Sequence, residues 1–198
     1  MNTRNIMHIA ILISLFLSQV AGNEFLVDRS HSRVQFSVSH LVISKTRGHF
    51  NDFEGKFEVS RNGKINEIIG KVKVKSIDTD HTKRDAHLRS KDFFEAEAYP
   101  EMIFKSKRIF QESSRLVVSG ILTIRDQSLP ITLTGKISQT IVDPWGNTRI
   151  GLSLKGAIDR RDFGITWSKT MDKGGLVVGN EVELELDLEG IQDKTTKS

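Results

Sequence analysis

The residues best able to do chemistry gather in a few short stretches. In His81–Leu88, His81 and Asp85 stand four apart, a spacing that puts both on one face of a helix. There they would offer two ligands to a metal ion. His87 lies two positions further on and points away, so the stretch falls short of the three or four protein ligands such a site takes. The simpler reading of Arg84, Asp85 and His87 is a polar network that holds the segment in place. In Asp28–Ser32, Asp28, His31 and Ser32 are the residue types of a nucleophilic triad. Nearness along a strand does not supply the triad's geometry. Glu95 and Glu97 are neighbouring acids in a loop, with nothing to make them share a proton. Arg160-Arg161-Asp162-Phe163-Gly164 reads as a turn with an ion pair, or as a mouth element whose Phe163 and Trp167 touch a ligand. No GxSxG, glycine-rich phosphate loop or HExxH occurs. The chain has no cysteine, so disulfides, thiolate ligands and a thiol nucleophile are excluded.

These residues must be positioned by strands. Val34, Phe36 and Val38 alternate with polar neighbours, as do Val72 and Val74, Leu122 and Ile124, and Leu152 and Leu154. The clearest case is Val182, Leu184, Leu186 and Leu188 against Glu181, Glu183, Glu185, Asp187 and Glu189. Such period-two runs are strands with one dry and one wet face. Arg61-Asn62-Gly63, Asp143-Pro144-Trp145-Gly146-Asn147 and Lys173-Gly174-Gly175 supply turns between them. The count predicts an all-β, antiparallel barrel or sandwich of about eight strands. Ser76–Pro100 breaks the alternation. It reads as a short helical plug around 82–95, capped by Asp80 or Thr82, followed by the adjacent rings of Phe93 and Phe94 and closed by Pro100. A plug of that kind closes one end of a barrel.

The chain of 198 residues carries 29 Lys and Arg against 25 Asp and Glu. Its densest basic pieces, 71–76 and 105–108, alternate with other residue types and read as solvated strand faces. No aromatics interleave with them, so nucleic acid is not an expected partner, whereas passing contact with an anionic membrane surface is compatible with them. A membrane barrel is disfavoured because 2 Trp and 1 Tyr cannot form two interface girdles. At the start, Arg4 precedes an apolar run from Ile9 to Val20 and the small residues Val20-Ala21-Gly22. The run is too short for a span of about 20 residues, so it reads as a secretory signal cleaved after Gly22. The expected organisation is a signal peptide over 1–22, one barrel domain over 23–192 and a polar tail over 193–198, with a periplasmic or secreted location.

The order of these motifs resembles one family. DRSHSRVQFSVSHL (28–41), SIDTD (76–80), RDAHLRSKDFF (84–94), YPEMIFKS (99–106), GILTIRDQSLPITL (120–133), RRDFGI (160–165) and VGNEVELEL (178–186) are similar to the YceI-like family of exported polyisoprenoid-binding proteins. Asp126-Gln127 departs from it, since the family often has glycine in that turn. The resemblance implies a lipocalin-like antiparallel β-barrel with a long apolar tunnel. The tunnel would hold a polyisoprenoid, a quinone tail or a related lipid, with no other cofactor, no metal and no catalytic residue. The family offers no binding motif to carry over, so the lining follows from strand parity and size. Phe36, Val38, Phe50, Phe53, Met102, Phe104, Leu122 and Ile124 are expected inside the barrel. Phe93 and Phe94 belong to the plug, and His40, Phe163 and Trp167 complete the expected ligand-binding set. Two other readings stay open: an enzyme acting on such a lipid through Asp85, His87 and Asp162 at the mouth, and a ligand-free stress or adhesion module. A homodimer is compatible with the sequence and not required by it.

Overall fold

The computed structural model describes residues 22–41, 43–168 and 177–195. The apolar leader and the Lys173-Gly174-Gly175 turn lie outside the described residues. The elements are β1 (Asn23–Val27), β2 (Arg33–His40), β3 (Ser44–Phe50), β4 (Phe53–Val59), β5 (Ile65–Lys73), β6 (Ile77–Asp78), α1 (Thr82–Arg89), β7 (Glu101–Glu112), β8 (Arg115–Ile124), β9 (Gln127–Ile137), β10 (Ile141–Val142), β11 (Thr148–Asp159) and β12 (Val178–Gln192). Every strand pairing among the described residues is antiparallel.

The strands outnumber eight because long ones are broken. One end of β12 pairs with β1 (Phe25↔Gln192) and the other with β2 (Leu184↔Phe36), so β1 and β2 are successive halves of one wall position. β4 pairs with β1 and β3 with β2, which makes β3 and β4 a second divided position. β5, β7, β8, β9 and β11 follow in order, and β11 pairs with β12 along its length to close an eight-position barrel. Closure removes the long free edges that an open sheet would present.

The first break has a local cause. Asp28 accepts hydrogen bonds from the Ser30 amide (3.0 Å) and hydroxyl (2.6 Å), which curls the chain into one 3-10 turn instead of a ladder. Ser32, fully buried, then accepts from the Glu189 amide at 2.9 Å and reattaches the chain to β12.

The interior holds two apolar clusters. Phe25, Phe57, Val59, Leu116, Val118 and Leu154 fill one end, where the Phe25 and Phe57 rings stack at 5.7 Å and 4°. Phe50, Ile77, Phe93, Ile124, Phe163 and Ile165 fill the end under α1. The outer faces are wet and paired. Glu183 and Glu185 of β12 meet Lys45 and Lys155, both at 2.6 Å. Lys71, Lys73 and Lys75 meet Glu54, Glu101 and Glu97, so the basic run is a neutralised strand face and not an open cationic patch.

The helical cover differs from the sequence reading in its cap and its extent. His81, not Asp80 or Thr82, is the N-cap, and its Nδ1 accepts from the Arg84 amide at 3.2 Å. Asp80 stands in the left-handed region at φ +58° and Thr82 is already helical. The helix ends at Arg89, and residues 90–99 continue as turns.

Candidate functional site

Between the two clusters lies an apolar cavity with an open mouth. Its wall is almost entirely carbon. The strand parity that predicts dry faces explains this: Phe53, Val72, Met102, Phe104, Leu122 and Ile124 are inward positions of the neighbouring strands β4, β5, β7 and β8. Glu54, Lys56 and Lys71 border the cavity as well, but their side chains are ion-paired, Lys71 to Glu54 and Lys56 to Glu24. A second apolar pocket lies beside α1, bordered by Val38, His40, Thr46, Arg84, His87, Leu88, Phe93 and Trp167. Phe36 is the residue common to both linings. Its ring lies directly over Gly48 of the neighbouring strand, where an added Cβ would come within 2.5 Å of Cζ.

The thirteen expected site residues therefore divide. Phe36, Phe50, Phe53, Met102, Phe104, Leu122 and Ile124 line the inner cavity. Val38, His40, Phe93 and Trp167 line the outer pocket, again with Phe36. Phe94 lines neither; it packs on the cluster under α1, its ring edge-on to Phe50 at 6.3 Å. Phe163 also lines neither and is buried in the same cluster. Strand parity missed Gly55, Gly70, Val27, Ile131 and Ile158 as cavity residues. A glycine at an inward position of an alternating strand is a readable sign that something approaches closely there.

The polar residues of α1 act as fasteners. The buried Asp85 carboxylate accepts from the Thr79 amide (3.0 Å) and hydroxyl (2.5 Å). Arg84 donates to the same threonine's hydroxyl (2.7 Å) and carbonyl (2.6 Å). Arg89 donates to the carbonyls of Lys75 (2.9 Å) and Ile77 (2.7 Å). His87 is not part of this clasp. Its Nε2 lies 3.0 Å from Asp92, and its ring stands edge-on to Phe93 (4.9 Å) and Trp167 (5.0 Å). His81 and Asp85 thus do not converge on a common point: one caps the helix and the other holds Thr79.

Beneath the outer pocket, Arg160 is buried and donates to the carbonyls of Ile165 (2.8 Å), Trp167 (2.7 Å) and Gly179 (2.8 Å). Burial holds its pKa below the usual arginine value. This one guanidinium joins the chain before and after the undescribed residues 169–176, and it sets the position of Trp167. The neighbouring Arg161 pairs outward with Asp159 at 2.6 Å. Arg125, at φ +57° in the β8–β9 turn, donates to Gly164 (2.9 Å) and Glu95 (3.1 Å) and lies over the Tyr99 ring.

At the far end, Asp28, His31 and Ser30 are in hydrogen-bond contact, with His31 Nδ1 2.9 Å from Asp28 and 3.0 Å from Ser30. The triad types thus meet, but with Ser30 in place of Ser32. The same His31 nitrogen faces both partners, which is not a relay. Asp28, His31 and Glu189 bring potential ligand atoms within 4.8 Å of one another. The Arg149 guanidinium already pairs with Asp28 (2.9 Å), Glu189 and Asp143 (2.6 Å) and fills the cationic place in that cluster.

A closed eight-position antiparallel barrel around an apolar cavity, with a short helix over one end, defines the lipocalin-like class of β-barrels. Residues 25–190 match the YceI-like domain, and the chain belongs to that family. A UPF0312 protein of Photorhabdus laumondii is 33% identical over 186 residues, which cover 93% of this chain and 94% of that protein. The solved YceI protein of Campylobacter jejuni superposes with a TM-score of 0.69 at 28% identity, over 79% of this chain and 90% of that one. A solved polyisoprenoid binding domain from Saccharophagus degradans superposes with a TM-score of 0.61 at 16% identity, over 88% of this chain and all of that one, and shows the shared fold.

Proposed function

We propose that this protein binds and carries one long apolar chain of the isoprenoid class in the barrel interior. The observation that carries this reading is the apolar cavity between the two packed clusters. A wall of carbon offers an apolar chain removal from water at roughly 25 cal/mol per Å2 and offers a polar molecule nothing. Membership of the YceI-like family and the name of the Saccharophagus relative point the same way. The ligand enters past Phe36, which separates the outer pocket from the inner cavity. The protein acts by binding and not by turnover: Asp85 and Arg84 at the mouth are engaged in holding α1 through Thr79, and His87 is paired with Asp92. The leader over 1–22 directs export to the periplasm or the medium, and N-terminal sequencing of the exported protein is expected to begin at Asn23.

Mass spectrometry of an organic extract of the purified protein tests the reading. A polyprenyl-type lipid at near-stoichiometric amount is the expected result; an extract with no lipid favours a filled or ligand-free barrel. Affinity is expected to rise steadily with chain length, at about 0.8 kcal/mol per buried CH2. Arg84→Ala, His87→Ala and Asp162→Ala are each expected to change affinity by less than about tenfold, in line with a net hydrogen-bond contribution of about 0.5–1.5 kcal/mol. Turnover of the extracted lipid that stops in His87→Ala would instead establish an enzyme.

A further inference from the structure

Three strand glycines of the wall are covered by phenylalanine rings. An added Cβ would meet the Phe36 ring at 2.5 Å from Gly48, the Phe104 ring at 2.6 Å from Gly120 and the Phe57 ring at 2.2 Å from Gly190. Such pairs fill the space that a missing side chain opens. Gly70 is different. Its added Cβ would meet nothing nearer than a backbone oxygen at 4.0 Å. Gly70 lies in the register of β5 directly opposite Gly55 of β4, and both line the inner cavity. On the inward face of β5 it falls between Ile68, which belongs to the cluster at the far end, and Val72, which packs on the cluster under α1. The place of a Gly55 side chain is already taken, since an added Cβ would meet Val27 Cγ2 and the Ile69 carbonyl, each at 3.1 Å. The result is a recess one side chain wide over Gly70, at the height where the two clusters part. A glycine inside a strand weakens it and marks a place where a ligand or another backbone comes close. At Gly70 no protein group comes close.

We infer that the Gly70 recess selects methyl-branched, isoprenoid chains over straight acyl chains; this rests on the apolar-chain reading above. An isoprenoid carries a methyl branch on every fourth backbone carbon and is broader than an unbranched chain. The rest of the bore is set by fixed, packed side chains that yield little. The recess supplies one side chain's depth of extra width, enough to receive a branch methyl. A straight chain leaves that depth empty and forgoes the contacts along it. Gly70 is therefore a specificity determinant that reads the shape of the tail and not the head group.

The test measures binding of geranylgeraniol and of hexadecan-1-ol, which share a sixteen-carbon backbone, to the delipidated full-length protein and to its Gly70→Ala and Gly70→Val variants. The wild type is expected to prefer the branched alcohol by at least tenfold. Gly70→Ala should lower that preference and Gly70→Val should bring it to about one or reverse it, with straight-chain binding kept. Retained straight-chain binding also shows that the variant is folded. The alanine variant, with open space around its Cβ, keeps the test intact where valine disturbs β5. A wild type that binds both alcohols equally, or a preference unchanged in both variants, overturns the recess as a selector and leaves the carrier reading standing. A wild type that binds neither alcohol overturns the carrier reading itself.

Discussion

Single side chains here do two separable jobs, and substitutions distinguish them. Phe36 is a wall residue of both apolar spaces, so Phe36→Asp puts a carboxylate against the carbon wall of the inner cavity. That variant is expected to fold with lowered stability and to copurify with no lipid; a folded Phe36→Asp protein that keeps its lipid would show that the ligand lies elsewhere. Arg160 lines neither apolar space and holds segments that do. Arg160→Ala leaves several carbonyls unsatisfied and is expected to lower stability by about 3 kcal/mol or more in urea titration, with a shift in tryptophan emission as Trp167 loosens. Arg160→Lys should restore little, because an ammonium cannot reach the same carbonyls from one planar fork. The inward phenylalanines and leucines were legible in the sequence because parity is a strong signal on a strand. The roles of Arg160, Arg125 and Arg149 were not legible, since each joins loops that only the closed barrel brings together.

The helical cover and the turn at the opposite end respond to different variables. Asp85→Ala removes two bonds to Thr79 and is expected to cost about 2–3 kcal/mol. It should also speed lipid exchange, since α1 borders the outer pocket; unchanged exchange, followed by displacement of a fluorescent apolar probe, would assign α1 a purely structural part. Phe93→Ala should cost about 3–5 kcal/mol as a buried aromatic deletion, and Phe94→Ala less, since Phe94 is only partly buried. At the far end the relevant variable is pH. Asp143 is pushed up by burial, but the bond from Arg149 and the amides of Asn147 and Trp145 outweigh this and bring it down to about 2. Asp28 is held well below the usual carboxylate range by the Ser30 hydroxyl first, then by His31 and Arg149. Both groups bind a proton more readily unfolded than folded, so their contribution is present above about pH 4 and is lost as pH falls through their folded pKa values, about 2 for Asp143 and lower still for Asp28. Thermal melts across that window should show a falling midpoint, and Arg149→Met should flatten the fall while lowering the plateau at neutral pH. The helix was legible from the break in alternation. Its cap was not, because Asp80 is a better cap by type than His81 but is turned into the left-handed region.

At the scale of the whole molecule, stability and occupancy are linked, because a chain that binds only the closed barrel raises its stability. At a free ligand concentration of 100 Kd the gain is about 2.7 kcal/mol, which for a domain of this size raises Tm by roughly 5–10 °C. Delipidation followed by reloading should move Tm down and back by that amount; a Tm indifferent to lipid would mean that the cavity stays empty. The barrel and its closure were legible from eight alternating runs and the family motifs. The breaks that divide two of its wall positions were not, because Asp28–Ser32 looks like strand until its side chains turn back on the backbone. The seam of the wall has a consequence in time. β1 is held between β4 and β12, and Ser32 is tied to a partner 157 residues further along the chain. Until β12 has been synthesised, β1 and β11 are bare edges and the compartment between the clusters does not exist. A nascent chain therefore has nothing to load. On the proposed reading an apolar chain can enter only after the last strand is in place, so filling would belong to the finished molecule and not to its manufacture.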